Sequence, residues 1–350
     1  MPLSAQHLIL SQLSSINEAM CEELSADNKK LLAQAFKLEK WPIAQLISTF
    51  ERNNTQSLIQ RHQISAYLEE HHTGDNKNAI VFGITGTPGA GKSSLIGELC
   101  LSLIEAHPEL SIAILAIDPS SQESGGALLG DRTRTIFPVN DKRIFFRSQA
   151  SHQDLGGMGK STFHVTRLLR KLFDIILIET VGIGQSEIEV QRLADHTILV
   201  MQPLAGDQIQ FMKAGIMEVP DTFIINKCDE EPLAKKSMHL LRSSLKLANI
   251  YIDNKETRPK DIFMTSATKH KGITSVCEHI LNIRQNTDMT ESLKQQEHYF
   301  LQKWIRQGYG EFGLGIYHHF KDRDNLRDGT FEERELAFKA LIANFLTQLN

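Results

Sequence analysis

The eight residues GTPGAGKS, Gly86 to Ser93, decide the fold of this 350-residue chain. They fit the pattern G-x-x-x-x-G-K-[ST], and both neighbours suit it. The apolar run AIVFGIT (79–85) precedes them and the helical run SSLIGELCLSLIEA (93–106) follows. Glycine lets backbone N–H groups wrap phosphate oxygens, and the N-terminus of the following helix favours an anion electrostatically. Lys92 is expected to place its charge on the β- and γ-phosphates, and the Ser93 hydroxyl to ligate Mg²⁺. Gly86, Thr87, Pro88, Gly89, Ala90, Gly91, Lys92, Ser93 and Ser94 are therefore the expected phosphate-binding residues. The bland alternative, a fortuitous glycine-rich turn, leaves the flanking strand and helix unexplained.

Working outward, short apolar runs alternate with helical segments from Ala79 to about Gln285: AIVFGIT, SIAILAID, KRIFFRS, DIILIE, HTILVMQ, TFIINK and IFMTSA. Such alternation implies a mostly parallel sheet with right-handed crossovers. Residues 1–72 read as helical, with apolar spacing such as Leu46, Ile47 and Phe50, and TGDNKN (73–78) reads as a linker. From Met289 the chain is again polar and helical, interrupted by the glycine-containing stretch YGEFGLGIY (309–317). The expected class is α/β. A P-loop NTPase G domain at 79–285 is flanked by helical extensions at 1–72 and 289–350.

The run FDIILIETVGIGQSE (173–187) carries an acid into a glycine-rich loop. Ile175, Ile176, Leu177 and Ile178 read as a strand buried on both faces, ending on Glu179. Taken singly, such a Glu is a cap or a solvated side chain. In a P-loop protein, the strand that ends on an acid followed by T-x-G sits beside the phosphate-loop strand. Its acid holds Mg²⁺ or the metal's water, and the N–H of Gly182 senses the γ-phosphate. Gln185 either orients the attacking water or is an ordinary polar residue, since it stands three positions after Gly182. Asp118, ending SIAILAID, and Asp131, in LLGDRTRT, complete the candidate metal set with Ser93 and Glu179. Each Asp alone reads as a cap or turn residue. Together the acids exceed what one Mg²⁺ bridging phosphates needs, so some are expected to exchange as the loops move.

The base is read from NKCD, Asn226 to Asp229, which follows the run TFIIN and fits N-K-x-D. A carboxylate at Asp229 accepts from the N1–H and exocyclic amine of guanine. Adenine offers no such donor pair and would leave the acid unpaired. Lys227 is expected along the base, with Asn226 bracing the loops. Ser266-Ala267-Thr268, after IFMT, stands where a backbone N–H meets guanine O6 in GTPases. The second glycine-rich stretch, GGMGKST (156–162), is a decoy: Asp154 holds the place of its first glycine. It reads as a loop opening the helix that carries Arg167 and Arg170.

Composition narrows the partners. A net charge of -4 and a pI near 6.4 give no reason to expect nucleic acid. No apolar run approaches the ~20 residues that span a bilayer. The first basic residue is Lys29, and acidic Glu18, Glu22 and Glu23 come earlier, which argues against a signal or transit peptide. Cys21, Cys100, Cys228 and Cys277 form no C-x-x-C pair. A reducing cytoplasm is the expected location.

In this order, GITGTPGAGKSSLI, AILAIDPSSQESGGALLGDRTR, LGGMGKST, DIILIETVGIGQSE, PLAGDQIQFMKAGIMEVPD and NKCD resemble the MeaB/ArgK family of methylmalonyl-CoA mutase-associated GTPases. The resemblance covers about residues 40–285. It implies a G domain with helical extensions and a C-terminal arm that makes a homodimer. It also implies a GTP-hydrolysing chaperone that binds GTP or GDP with Mg²⁺, gates adenosylcobalamin loading and protects a cobalamin-dependent acyl-CoA mutase. The family's metal-associated acids match Asp118, Asp131 and Glu179, and its mobile switch III matches Pro203–Gly215, with Lys213 at a conspicuous position. Lys92, Glu179, Lys213 and Gln185 are thus the candidate catalytic residues. The chain departs from the pattern at Ala214 and Asp154, and its glycine-containing tail is less continuous than the family's basic one.

Three rivals remain. An ATP-dependent kinase linked to amino-acid transport conflicts with NKCD. A metallochaperone GTPase needs Cys/His clusters near the phosphate loop, and His71 and His72 fall in the expected linker. A regulator without useful hydrolysis stays open, because no side chain is a convincing catalytic base; Arg132, Arg134, Arg147 and Lys213 could each supply transition-state charge, but each such residue is more often a surface charge.

Overall fold

The structure, a computed structural model, describes residues 3–71, 79–119, 141–151, 160–180, 186–203, 220–251, 261–321, 326 and 328–348. Two compact units divide the chain. One comprises Asn78–Gly159 and Leu172–Met289; the other comprises Met1–Lys77, Lys160–Lys171 and Thr290–Asn350. Among the described residues no helix is long and apolar enough to cross a membrane.

The first unit is a parallel sheet with helices. Its strands are β1 (Ile80–Gly86), β2 (Ile112–Pro119), β3 (Ile144–Ser151), β4 (Ile175–Thr180), β5 (His196–Met201), β6 (Thr222–Ile225) and β7 (Asp261–Met264). They lie in the order β3-β2-β4-β1-β5-β6-β7, every neighbouring pair parallel. The seven apolar runs of the sequence are these seven strands. Strands rich in Ile, Val and Leu, with both faces covered, suit a parallel sheet. Ile80, Phe82, Ile114, Leu177 and Ile198 pack with Leu95, Leu99 and Leu103 of α5 (Lys92–Ala106) and with Val276 and Ile280 of another helix (Ile273–Asn286). The register sets Ile84 beside Glu179, which brings the end of β4 to the start of the phosphate loop. Strand order changes direction at β1, between β4 and β5, where ligands of such sheets bind at the carboxyl ends.

The second unit is helical: α1 (Leu3–Met20), α2 (Ala26–Ala35), α3 (Lys40–Glu51), α4 (Thr55–His71), α6 (Lys160–Arg170), α10 (Thr290–Phe320) and α11 (Phe331–Gln348). The remaining helices, α7 (Ser186–Leu193), α8 (Glu231–Tyr251) and α9 (Ile273–Asn286), belong to the first unit. The stretch YGEFGLGIY interrupts the C-terminal helix as expected: α10 is two helical segments meeting at a kink at Gly310, whose backbone (φ 64°, ψ -163°) is not helical. Past the kink, Leu314, Ile316 and Tyr317 are buried. His71 ends α4 and stacks on Tyr67, rather than lying in a linker.

A charged cluster lies inside this helical unit. Glu332 is fully buried and accepts from Arg167 Nη1 at 2.8 Å, with Arg61 Nε at 3.7 Å and His164 Nδ1 at 3.6 Å. Glu335 holds Lys160 at 2.5 Å and Lys339 at 2.9 Å, and the Lys160 ammonium stands 4.9 Å over the Trp304 ring. Burial pushes Lys160 down to about 8, with Glu335 pulling the other way. Burial, reinforced by the cations Arg61, Lys160 and Arg167, holds His164 well below the ordinary imidazole range.

Candidate functional site

The phosphate loop joins the end of β1 to α5. Gly86 has φ 140°, and any side chain there would run into the carbonyl oxygen of Val200 on β5. Gly91 caps α5 in the left-handed region at φ 82°. A Cβ on it would meet Asn226 Nδ2 at 2.7 Å, so both ends of the loop require glycine. Lys92 is buried, and its Nζ donates to the carbonyls of Gly86 at 2.8 Å and Thr87 at 3.2 Å. The ammonium is thereby held against the loop, where it can meet an anion lying on the N-terminus of α5.

Beside it, Ser93 Oγ donates to Glu179 Oε1 at 2.6 Å. The next residue, Thr180, donates its hydroxyl to Thr85 Oγ1 at 3.0 Å and ties the carboxyl ends of β4 and β1. A hydroxyl and a carboxylate converging at a helix N-terminus form a hard-oxygen pair, the donor chemistry Mg²⁺ takes. Glu179 thus meets Ser93, the residue expected to share its metal.

The base-reading side is a second knot. Asn226, just after β6, donates through Nδ2 to the carbonyls of Ala90 at 2.9 Å and Gly91 at 3.3 Å. Its Oδ1 accepts from Thr265 Oγ1 at 3.1 Å and from the Ala267 N–H at 3.4 Å. One amide thus fastens the phosphate loop to the loop after β7. Lys227 has φ 60°, and its Cε lies 3.7 Å from where a Gly91 Cβ would stand. Asp229 Oδ1 accepts from Ser266 Oγ at 2.7 Å and Thr268 Oγ1 at 3.3 Å, with Lys269 Nζ at 3.7 Å. The Ser266 hydroxyl, aided by Lys269 and Thr268, holds the Asp229 carboxyl below its ordinary range despite partial desolvation. An ionised carboxylate only accepts hydrogen bonds, which is what two adjacent donors of guanine require.

The structure thus brings Gly86–Ser94, Glu179, Asn226, Lys227, Asp229 and Ser266–Thr268 to the carboxyl edge of the sheet around β1. The backbone of Asp118 pairs with Ala150, one residue before β2 ends at Pro119; its side chain lies outside the described residues, as do Asp131, Gly182, Gln185 and Lys213. Thr265 and Lys269 escaped sequence reasoning. Their signal was position, immediately before and after the S-A-T triplet.

A family model described as methylmalonyl Co-A mutase-associated GTPase MeaB matches residues 43–310. GTPase ArgK of Escherichia coli K12 is 32% identical over 250 residues, 71% of this chain and 73% of that protein. The mouse protein named methylmalonic aciduria type A homolog, mitochondrial, is 33% identical over 285 residues, 80% of this chain and 66% of that one. Among solved structures, the LAO/AO transport system kinase superposes with a TM-score of 0.60 at 23% identity, covering 87% of this chain and 89% of its own, which is a likeness of fold. With this match across the P-loop, the acid-ended strand and the guanine-type motif, the chain belongs to the MeaB family of methylmalonyl-CoA mutase-associated GTPases.

Proposed function

We propose that this P-loop GTPase hydrolyses GTP with Mg²⁺ and serves as a chaperone for an adenosylcobalamin-dependent acyl-CoA mutase of the methylmalonyl-CoA mutase type. Its nucleotide state gates cofactor loading. The family match over residues 43–310 carries the reading. The paired Ser93 and Glu179 and the hydroxyl-held Asp229 support its chemistry. In this reading Lys92 neutralises charge growing on the phosphates, and Mg²⁺, when bound to Ser93 and Glu179, supplies further charge stabilisation. Asn226, Lys227, Asp229 and the 266–268 triplet hold guanine. Lys213 and Gln185 act from loops that order around the γ-phosphate or the mutase, with Asp118 and Asp131 exchanging at the metal. The segment after residue 289 forms a homodimer arm, and the protein works in the cytoplasm.

The test is turnover of GTP with and without an acyl-CoA mutase recovered by pull-down. Positioning is most of phosphoryl-transfer catalysis, so a mutase that clamps the loops is expected to raise the rate. Gating by nucleotide state further requires mutase affinity to differ between the GDP and GTP-analogue states, by a coupling of about 1–3 kcal/mol, and by linkage the mutase then changes relative nucleotide affinity by the same factor. An unchanged rate together with equal affinities sinks the chaperone reading for that client. Preference for ATP over GTP would instead restore the kinase alternative.

A further inference from the structure

The loop that follows β7 is a closed ring. Ser266 and Lys271 exchange both backbone hydrogen bonds, at 3.0 and 3.1 Å, and Gly272 then opens α9. Inside this ring stand the two hydroxyls that hold Asp229, Ser266 and Thr268, and the Ala267 N–H that meets Asn226. Just before Lys271 in this ring, His270 sits in the left-handed region at φ 51°. Its Nδ1 lies 2.6 Å from Glu98 Oε2. A carboxylate accepts, so Nδ1 carries the hydrogen and donates it. Glu98 lies on α5, the helix that begins with Lys92 and Ser93, and its side chain is 25% exposed.

We propose that His270 and Glu98 form a positioning pair, a latch that fixes the guanine-reading loop to the phosphate-binding helix and so sets how long a guanine nucleotide stays bound. The inference rests on the guanine nucleotide reading above. Asn226 already ties the two loops near the base. The Cys228 N–H also donates to the Thr265 carbonyl at 2.9 Å, and Val276 and Ile280 of α9 pack on α5, so the root of the ring is held. The His270 bond fixes the ring next to the stretch that carries Thr268 against Asp229. Exposed ion pairs are generally weak because ordering two long side chains offsets their attraction. His270 is 72% exposed, but little ordering is needed: the ring is already closed, and the bond is a short one to a carboxylate that is only 25% exposed. The left-handed backbone of a non-glycine residue persists only where its surroundings over-determine it; at His270 the closed ring and the His270 N–H, which donates to the Ala267 carbonyl at 3.4 Å, do so together with Glu98.

The experiment follows dissociation of fluorescent N-methylanthraniloyl-GDP from the full chain. His270→Ala and Glu98→Ala are each expected to release it about three to ten times faster, and the double variant no faster than either, since both remove one bond. His270→Asn is expected to stay near the parent, because Asn tolerates the left-handed region and its amide can donate to Glu98. His270→Gly relieves the backbone and removes the latch, and is expected to behave as His270→Ala. In steady-state hydrolysis the loss is read in KM rather than in kcat. Release at the parent rate from both alanine variants overturns the latch, as does a His270→Asn as impaired as His270→Ala, or a His270→Gly that behaves as the parent. A parent protein that binds no guanine nucleotide overturns the underlying reading instead.

Discussion

Replacing Glu332 by Gln keeps the side chain's shape and removes only its charge. The carboxylate is fully buried, 2.8 Å from Arg167 and 3.7 Å from Arg61. At an effective dielectric of about 20, those separations correspond to roughly 6 and 4.5 kcal/mol of attraction. Most of this is offset by the desolvation that the carboxylate no longer suffers, and removal of one partner of a buried pair leaves a net cost of about 3–5 kcal/mol. The two arginines left behind are poorly compensated: Arg167 keeps only Glu297 at 3.9 Å among the described carboxylates, Arg61 keeps the Arg52 carbonyl at 2.8 Å, and Arg61 Nε and both ring nitrogens of the uncharged His164 are already buried without a hydrogen bond. For a domain of this size that cost lowers Tm by on the order of 10 °C. The chain's two tryptophans, Trp41 and Trp304, both lie in the helical unit, so tryptophan fluorescence reports its melting selectively. Adding Arg167→Met to Glu332→Gln removes one orphaned cation and is expected to recover part of the loss. A Glu332→Gln protein melting within 2 °C of the parent, on the ~10 °C scale set above, would refute the claim that this charge holds the cluster.

Asp229→Asn is expected to weaken GDP by about two orders of magnitude, because two hydrogen bonds to a charged acceptor are replaced by poorer ones. The amide can donate to O2 of xanthine, so calorimetry with XDP should show a relative gain; equal GTP and ATP affinity in the parent contradicts the assignment. Lys92→Ala should abolish hydrolysis, and Glu179→Ala should lower turnover ~10³-fold or more while sparing GDP, since charge around the γ-phosphate dominates phosphoryl transfer; normal turnover by Glu179→Ala returns that residue to a structural role. Acid should destabilise the fold. Burial lowers His164 and His196 from the ordinary 6.5, so their contribution is complete above that pH and is lost as pH falls from 6.5 towards the lower folded values. Each such imidazole costs up to about 1.4 kcal/mol per pH unit in that window, and a Tm higher at pH 5.5 than at 7.5 would reverse the sign.

Much of the geometry of the candidate nucleotide site was legible because its residues are local in sequence. GTPGAGKS, the acid ending DIILIE, NKCD and S-A-T each follow an apolar run, and each run is a strand whose carboxyl end reaches the same edge. The charged cluster was not legible. FEEREL (331–336) reads as a solvated helical turn, yet Glu332 and Glu335 are buried, because their partners Arg167 and Lys160 lie 165 and 175 residues earlier. No local pattern encodes such a pairing. The interruption at Gly310 was legible from its glycines, but helix propensity could not foresee that helix resumes through Gly313 and Gly315, where packing of Leu314, Ile316 and Tyr317 outweighs the glycine penalty.

The helical unit is assembled from three separated stretches of chain, with α6 supplied from the midst of the sheet unit. On a ribosome, which delivers the N-terminus first, α1 to α4 emerge at the start and α11 at the end. Arg61 must therefore wait, exposed, through synthesis of some 270 residues before Glu332 arrives. The sheet unit, complete by Met289, can close earlier around its own core. A nascent chain halted near residue 300 would then hold a finished nucleotide fold beside helices lacking their counter-charges. It is in that interval that the protein is most open to holdase chaperones and proteases. Fusing a late-stalling sequence after residue 300 and probing trypsin cleavage at Arg61 and Arg167 would reveal it.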